Sequence, residues 1–158
     1  MREFCSSKLA RICHLGLFAA LVPLILSPLF ASLGDDVSSI RSDQLQLKAS
    51  VRVLPGSLYS VHEMQTPSGT VIRQFVSPAG TVFAVTWRGF PPNLKQLLGS
   101  HFDEYVQAAS RQTASRGRSV RIDNGDLVVD YGGHMRSVFG RAFLRQKIPS
   151  GVSGDEIR

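Results

Sequence analysis

A chain of 158 residues with a formal charge of +6 is sized for one domain and long enough to bury roughly two-thirds of its unfolded surface. Its lysines and arginines are spread along the sequence, and the basic stretch from Arg111 to Arg121 has no interleaved aromatics, which excludes a nucleic-acid interface built on electrostatics and base stacking. Both cysteines, Cys5 and Cys13, fall in the first stretch of chain, which reads differently from the rest.

That stretch has the order of an export signal. Arg2, Lys8 and Arg11 lead into an apolar run from Leu15 to Leu26, followed by the small residues Ala31, Ser32 and Gly34 and then by Asp35-Asp36, the pattern of a positive end, an apolar helix and a peptidase site. An uncleaved anchor is the rival reading, since Ile12 to Leu33 reaches the about 20 residues that a spanning helix needs. Pro23 and Pro28 inside that window each remove a helical hydrogen bond and favour cleavage, after Ala31 or as late as Gly34. The expected organisation is a signal peptide over 1–31, one domain over 32–148 and a polar, peripheral tail over 149–158. The mature chain then holds no cysteine and a formal charge of +4. It is expected in the periplasm or secreted, without a disulfide, a thiol nucleophile or a cysteine-ligated metal. Its contact with membrane is through the signal segment alone, before cleavage.

Past the leader, Val37, Ile40, Gln44 and Leu47 keep helical spacing behind the two aspartates, which stand at the favourable end of the helix dipole. From Ser57 the period changes to two. The runs Leu58 to Gln65, Thr70 to Val76 and Thr81 to Trp87 are separated by Thr66-Pro67-Ser68-Gly69 and Ser77-Pro78-Ala79-Gly80, both with proline second and glycine fourth, as a type I turn favours. These three runs predict an antiparallel meander. In the third, Phe83, Val85 and Trp87 alternate with Val82 and Ala84, so both faces are apolar and the strand is expected to be central and covered on both sides.

Asn93 is placed to cap a helix that carries Leu94, Leu97, Leu98, Phe102, Tyr105, Val106 and Ala109 in one stripe, interrupted at Gly99. A basic loop follows, from Ala108 to Ser119. Asn124-Gly125 predicts a hairpin turn between Val120-Ile122 and Leu127-Val129, Gly132-Gly133 marks a bend, and Met135 to Leu144 reads as a last strand. The fold class is therefore α+β: an antiparallel sheet of about five or six strands, meander plus hairpin, with one main packed helix and a shorter N-terminal one.

The candidate chemistry is sparse. The histidines of the mature chain, His62, His101 and His134, are far apart and lack metal-ligand spacing, so neither a metal nor a cofactor is expected. His62 and Glu63, adjacent on a strand, point to opposite faces. His101, Asp103 and Glu104 read as the solvated side of the helix. No Gly-x-Ser-x-Gly elbow is present. The run Gly132-Gly133-His134-Met135-Arg136 is the most unusual: paired glycines allow close backbone approach, and His134 with Arg136 would suit an anion, while the plain alternative is a β-bulge. His62, His134 and Arg136 are the candidate ligand-binding residues; no catalytic residue is assigned.

Several of these runs together resemble a known family. Tyr59-Ser60-Val61-His62-Glu63, Val76-Ser77-Pro78-Ala79-Gly80, Val82-Phe83-Ala84-Val85-Thr86-Trp87, Gly132-Gly133-His134-Met135-Arg136 and the closing Gly151-Val152-Ser153-Gly154-Asp155-Glu156-Ile157-Arg158 are similar to exported proteobacterial proteins grouped as domain of unknown function 2844. The resemblance spans Leu33 to Arg158 and implies an exported single domain with no assigned activity. His101 departs from it, standing where a tyrosine is expected. Three readings follow. The first is a non-enzymatic periplasmic or secreted module that binds a protein partner, a second copy or a cell-envelope component through the apolar sheet face. The second is an envelope hydrolase pairing His62 or His134 with Glu63 or Asp103. The third is a binder of anionic glycan or lipid through Arg116, Arg118, Arg121 and Arg136.

Overall fold

The computed structural model of the protein describes residues 33–111 and 119–158. The leader over 1–31 and the part of the basic loop holding Arg116 and Arg118 lie outside the described residues. One antiparallel sheet of seven strands organises the rest: β1 (Ser50–Leu54), β2 (Ser60–Gln65), β3 (Val71–Val76), β4 (Val82–Gly89), β5 (Ser119–Asn124), β6 (Leu127–His134) and β7 (Ser137–Leu144), in the order β1-β2-β3-β4-β7-β6-β5. The α+β class and the meander, β2 to β4, are as expected. The strand beyond the expected count is the edge strand β1, short and mostly exposed, next to a Pro55-Gly56 break.

Both meander turns close as their residue types require, Gly69 N–H to the Thr66 carbonyl and Gly80 N–H to the Ser77 carbonyl, each at 2.9 Å. The later hairpin differs by one residue. Asn124 pairs with Leu127, so Gly125 and Asp126 form the loop, with Gly125 at φ 62° in the first central position, the type II′ arrangement.

Three helices cover one face of the sheet. A 3-10 turn (Val37–Ser39) opens α1 (Ile40–Leu47), and the Asp36 carboxylate accepts from Ser38 N–H at 2.8 Å. The expected second helix is split into α2 (Leu94–Leu98) and α3 (Phe102–Arg111) by a 3-10 turn that begins at Gly99. The Asn93 side chain does cap α2, accepting from Gln96 N–H. Beneath these helices lies the larger core, which includes Met64, Ile72, Val85, Trp87, Leu97, Leu98, Val129 and Leu144. Leu33 belongs to it, 1% exposed. The segment Leu33 to Val37 runs beside the start of β4, joined by Gly34 N–H to the Val82 carbonyl at 2.8 Å and Val82 N–H to the Asp35 carbonyl at 2.9 Å.

One charged side chain is fully buried in this layer. The Asp43 carboxylate (α1) accepts from the Gln74 amide of β3 at 3.0 Å and from the Gln96 amide of α2 at 2.9 Å. Three elements are tied to one carboxyl group, whose buried oxygens are thereby hydrogen-bonded.

As expected, β4 is central and buried on both faces from Val82 to Trp87. The alternation is shifted at its start, however. The β3–β4 register slips between Phe75 and Val76, and this bulge puts Phe83 on the side of Phe75 and Ala84, away from Val85 and Trp87. On that second side the cover is the chain's own C-terminal segment. Ile157, 1% exposed, packs with Phe75, Phe83, Ala84, Val128 and Phe143, and Ile148 joins them. The tail, expected to be peripheral because its residues are polar, thus contributes one apolar side chain that seals half of a sheet face.

Candidate ligand-binding cleft

Register decides what the second face presents. In the row nearest the tail, Val61, Phe75, Ala84, Phe143 and Val128 follow one another across neighbouring strands. Two residues further along each strand lies a row of another kind: Arg52, Glu63, Arg73, Thr86, Arg141, Asp130 and Arg121, one from each of the seven strands. Residues directly opposite across strands bring their side chains together, and here they pair by charge. Glu63 lies 2.7 Å from Arg52 and 2.8 Å from Arg73; Asp130 lies 2.7 Å from Arg141 and 3.4 Å from Arg121. Two arginine–carboxylate–arginine triads therefore flank Thr86 on the central strand. The row carries four guanidiniums against two carboxylates, so it keeps an excess of positive charge.

The Arg73 N–H groups are the main reason the Glu63 carboxyl sits below the usual range, with Arg52 adding to the effect against the opposing cost of burial. The inner arginines also hold the tail. Arg141 Nη1 donates to the carbonyls of Gly154 (2.9 Å) and Ile157 (3.4 Å), and Arg73 Nη1 to the Arg158 main-chain oxygen (3.4 Å).

Beyond this row the face is open. A cleft of about 650 Å³ has Thr86 and the Trp87 and Gly140 positions at its floor. Arg73, Arg141 and Arg158 stand on the tail side; Val71, Arg88 and Phe139 form the outer row, in which Arg88 is directly opposite both Val71 and Phe139. Arg88 is exposed and makes no hydrogen bond or ion pair among the described residues. The Phe139 ring lies across Gly132, where a Cβ would come within 3.0 Å of it. At Gly133 a Cβ would meet the Ser137 carbonyl oxygen at 2.3 Å. The paired glycines thus let the β6–β7 hairpin close tightly and make room for an aromatic wall of the cleft. They form a continuous part of β6, without the expected bend.

The sequence candidates are not gathered at this cleft. His62 lies on the opposite, helix-covered face, in register with Gln74 and Val53, and burial holds its pKa below the ordinary value. His134 and Arg136 are exposed at the β6–β7 turn beside Met135, which is 91% exposed. Four strand spacings separate β2 from β6, about 19 Å at the usual interval, so His62 and His134 do not meet. Glu63 faces away from His62, and Asp103 sits on α3, which packs on β5 at the other end of the sheet. Neither His62 nor His134 is joined to a carboxylate among the described residues. His101 bonds Glu104 at 3.3 Å on the helical side. Among the described residues no three of His, Cys, Asp or Glu are grouped as metal ligands, and no helix is long and apolar enough to cross a membrane.

A family model described as "Protein of unknown function (DUF2844)" matches residues 29–157. The chain belongs to this family. The DUF2844 match begins just before Leu33, the first described residue of the core, and runs through Ile157, so the tail that closes the second face falls within the matched region. No curated protein matches the chain. No solved structure matches it either.

Proposed function

We propose that this DUF2844 protein is an exported, non-enzymatic binding module, periplasmic or secreted, that holds its ligand in the cleft on the second sheet face. The observation that carries this reading is the open cleft itself, within the size range of small-molecule sites and lined by cationic side chains from β3, β4, β7 and the tail. A bare apolar sheet face was the sequence argument for a protein partner. The chain's own Ile157 and Ile148 cover that surface, which moves the argument from partner docking to ligand binding.

The leader supports export, and the packing of Leu33 bears on where it is cut. Cleavage after Gly34 would remove Leu33 from the core together with its N–H bond to the Leu97 carbonyl at 3.1 Å, whereas cleavage after Ala31 spares both. N-terminal sequencing of the mature protein is expected to begin at Ser32. Expression of the full chain in a Gram-negative host, fractionation, and native against denaturing mass spectrometry of the exported form test the whole reading. A bound mass lost on denaturation is the expected result. Retention in the cytoplasm overturns export; an empty protein that takes up none of the probes named below overturns ligand binding.

A further inference from the structure

Resting on that reading, we infer that the cleft recognises an oxyanion, a carboxylate or a phosphate, borne on an apolar arm, with Thr86 as the centre of the anion subsite. Thr86 is 7% exposed, lies between Arg73 and Arg141 in register, and its hydroxyl has no hydrogen-bond partner among the described residues. Each flanking guanidinium spends its Nε on a carboxylate, Arg73 on Glu63 and Arg141 on Asp130. Their orientation is thereby fixed; Arg141 also gives Nη1 to the tail carbonyls and faces Asp155 at 4.0 Å through Nη2, whereas Arg73 keeps donors to spare. Arg73 Nη2 makes no hydrogen bond among the described residues.

Arg88, two residues along the same strand face, and Arg158 from the tail bring the cations around the cleft to four, with Asp130 the carboxylate among its lining residues. Such an excess of donors over acceptors suits an oxyanion, which accepts charge-assisted bonds and offers none. The outer row sets the other half of the ligand. Val71 and Phe139 flank Arg88, with Phe139 53% exposed, so a chain or ring leaving the anion subsite toward solvent passes over apolar surface.

The test is calorimetry with amide chemical-shift mapping on the exported, ligand-stripped protein. The probes are decanoate, decyl phosphate, inorganic phosphate and decanol, all at concentrations below aggregation. Decanoate or decyl phosphate is expected to bind and to shift the amides of Thr86 to Arg88 and of Phe139 to Arg141, the stronger of the two naming the source of the anion. Decanol and inorganic phosphate should each bind at least about tenfold more weakly, since one lacks the charge-assisted bonds and the other the buried apolar area. Arg88→Gln and Thr86→Val should weaken the better probe by about tenfold and several-fold, and added salt should weaken it further. Arg52→Gln removes an arginine charge from the Thr86 row outside the cleft and should change binding less than about twofold.

Decanol binding as well as its charged counterparts, or an unchanged affinity in Arg88→Gln, overturns the anion subsite while leaving a ligand-binding cleft. Inorganic phosphate binding as well as decyl phosphate overturns the apolar arm. Shifts confined to other strands overturn the placement, and failure of every probe overturns both the inference and the reading beneath it.

Discussion

The two faces of this sheet solve burial in different ways. On the helix side most inward positions are apolar, and the carboxyl that enters, Asp43, is enclosed by amides from two other elements. On the tail side an apolar row is sealed by Ile157, while the next row is charged on either side of Thr86 and stays at the edge of water, bridged by carboxylates. Dense, dry packing fixes geometry and leaves no room for a ligand. Half-covered charge, oriented by neighbours but not consumed by them, leaves donors in place. On the proposed function, the first face supplies stability and the second recognition, and β4 belongs to both.

Breaking the helix-side anchor should cost the most. Asp43→Ala takes the shared acceptor from the Gln74 and Gln96 amides, which costs about 1–3 kcal/mol for each bond lost, beside the cavity left behind. Urea unfolding should show a lower midpoint with an unchanged slope. A smaller loss is expected on the other face: Ile157→Ala opens a cavity against Phe75, Phe83 and Phe143 and should cost about 2–3 kcal/mol. It should also loosen the Arg141 contacts to the tail and weaken the cleft's ligand, an effect Asp43→Ala should not have at temperatures where that variant remains folded. Equal effects of the two variants on binding would dissolve the division of labour between the faces.

The strands from β2 to β7, the meander and its turns, the Asn93 cap and the centrality of β4 were all legible in the sequence, because each depends on residues close together in the chain. The cleft was not. Arg52, Glu63, Arg73, Thr86, Asp130 and Arg141 have no spacing signature; strand order and register alone place them in one row. Gly132-Gly133-His134 stands out in the sequence because its residues are adjacent, although its glycines serve the Phe139 ring and a tight turn. One signal was available. With β4 central, period two puts Thr86 and Arg88 on a single face, and an arginine beside a polar residue on a buried central strand marks a place where that face is not closed. The bulge at Phe75 and Val76 hid even this, since it shifts Phe83 across the expected alternation.

The charged row also gives the tail-side face a pH dependence of its own. Glu63 has a folded pKa held below its ordinary value of 4.5, chiefly by the Arg73 hydrogen bond. Its contribution is therefore complete above about pH 4.5 and is lost as the pH falls through the lowered value, where the folded carboxylate at last takes up its proton. Glu63→Gln should flatten this acid limb of the stability profile. His62, on the other face, is held below its ordinary 6.5 by burial. Its effect begins higher: the unfolded chain binds a proton that the folded one resists, so stability falls as the pH drops through 6.5, and His62→Gln should remove that step.

Arg52→Gln sharpens the contrast at its faint end. Arg52 is 67% exposed, whereas its partner Glu63 is 17% exposed and keeps the 2.8 Å bond to Arg73 when Arg52 is gone. An exposed pair of this kind contributes about 0.2–1 kcal/mol, less at high salt. The substitution should move thermal stability barely, and should leave the Glu63 acid limb in place because Arg73 dominates it. A drop as large as that of Ile157→Ala would mean that the seven-strand row acts as one cooperative network, so that removing its outermost charge disturbs the arginines around Thr86 as well.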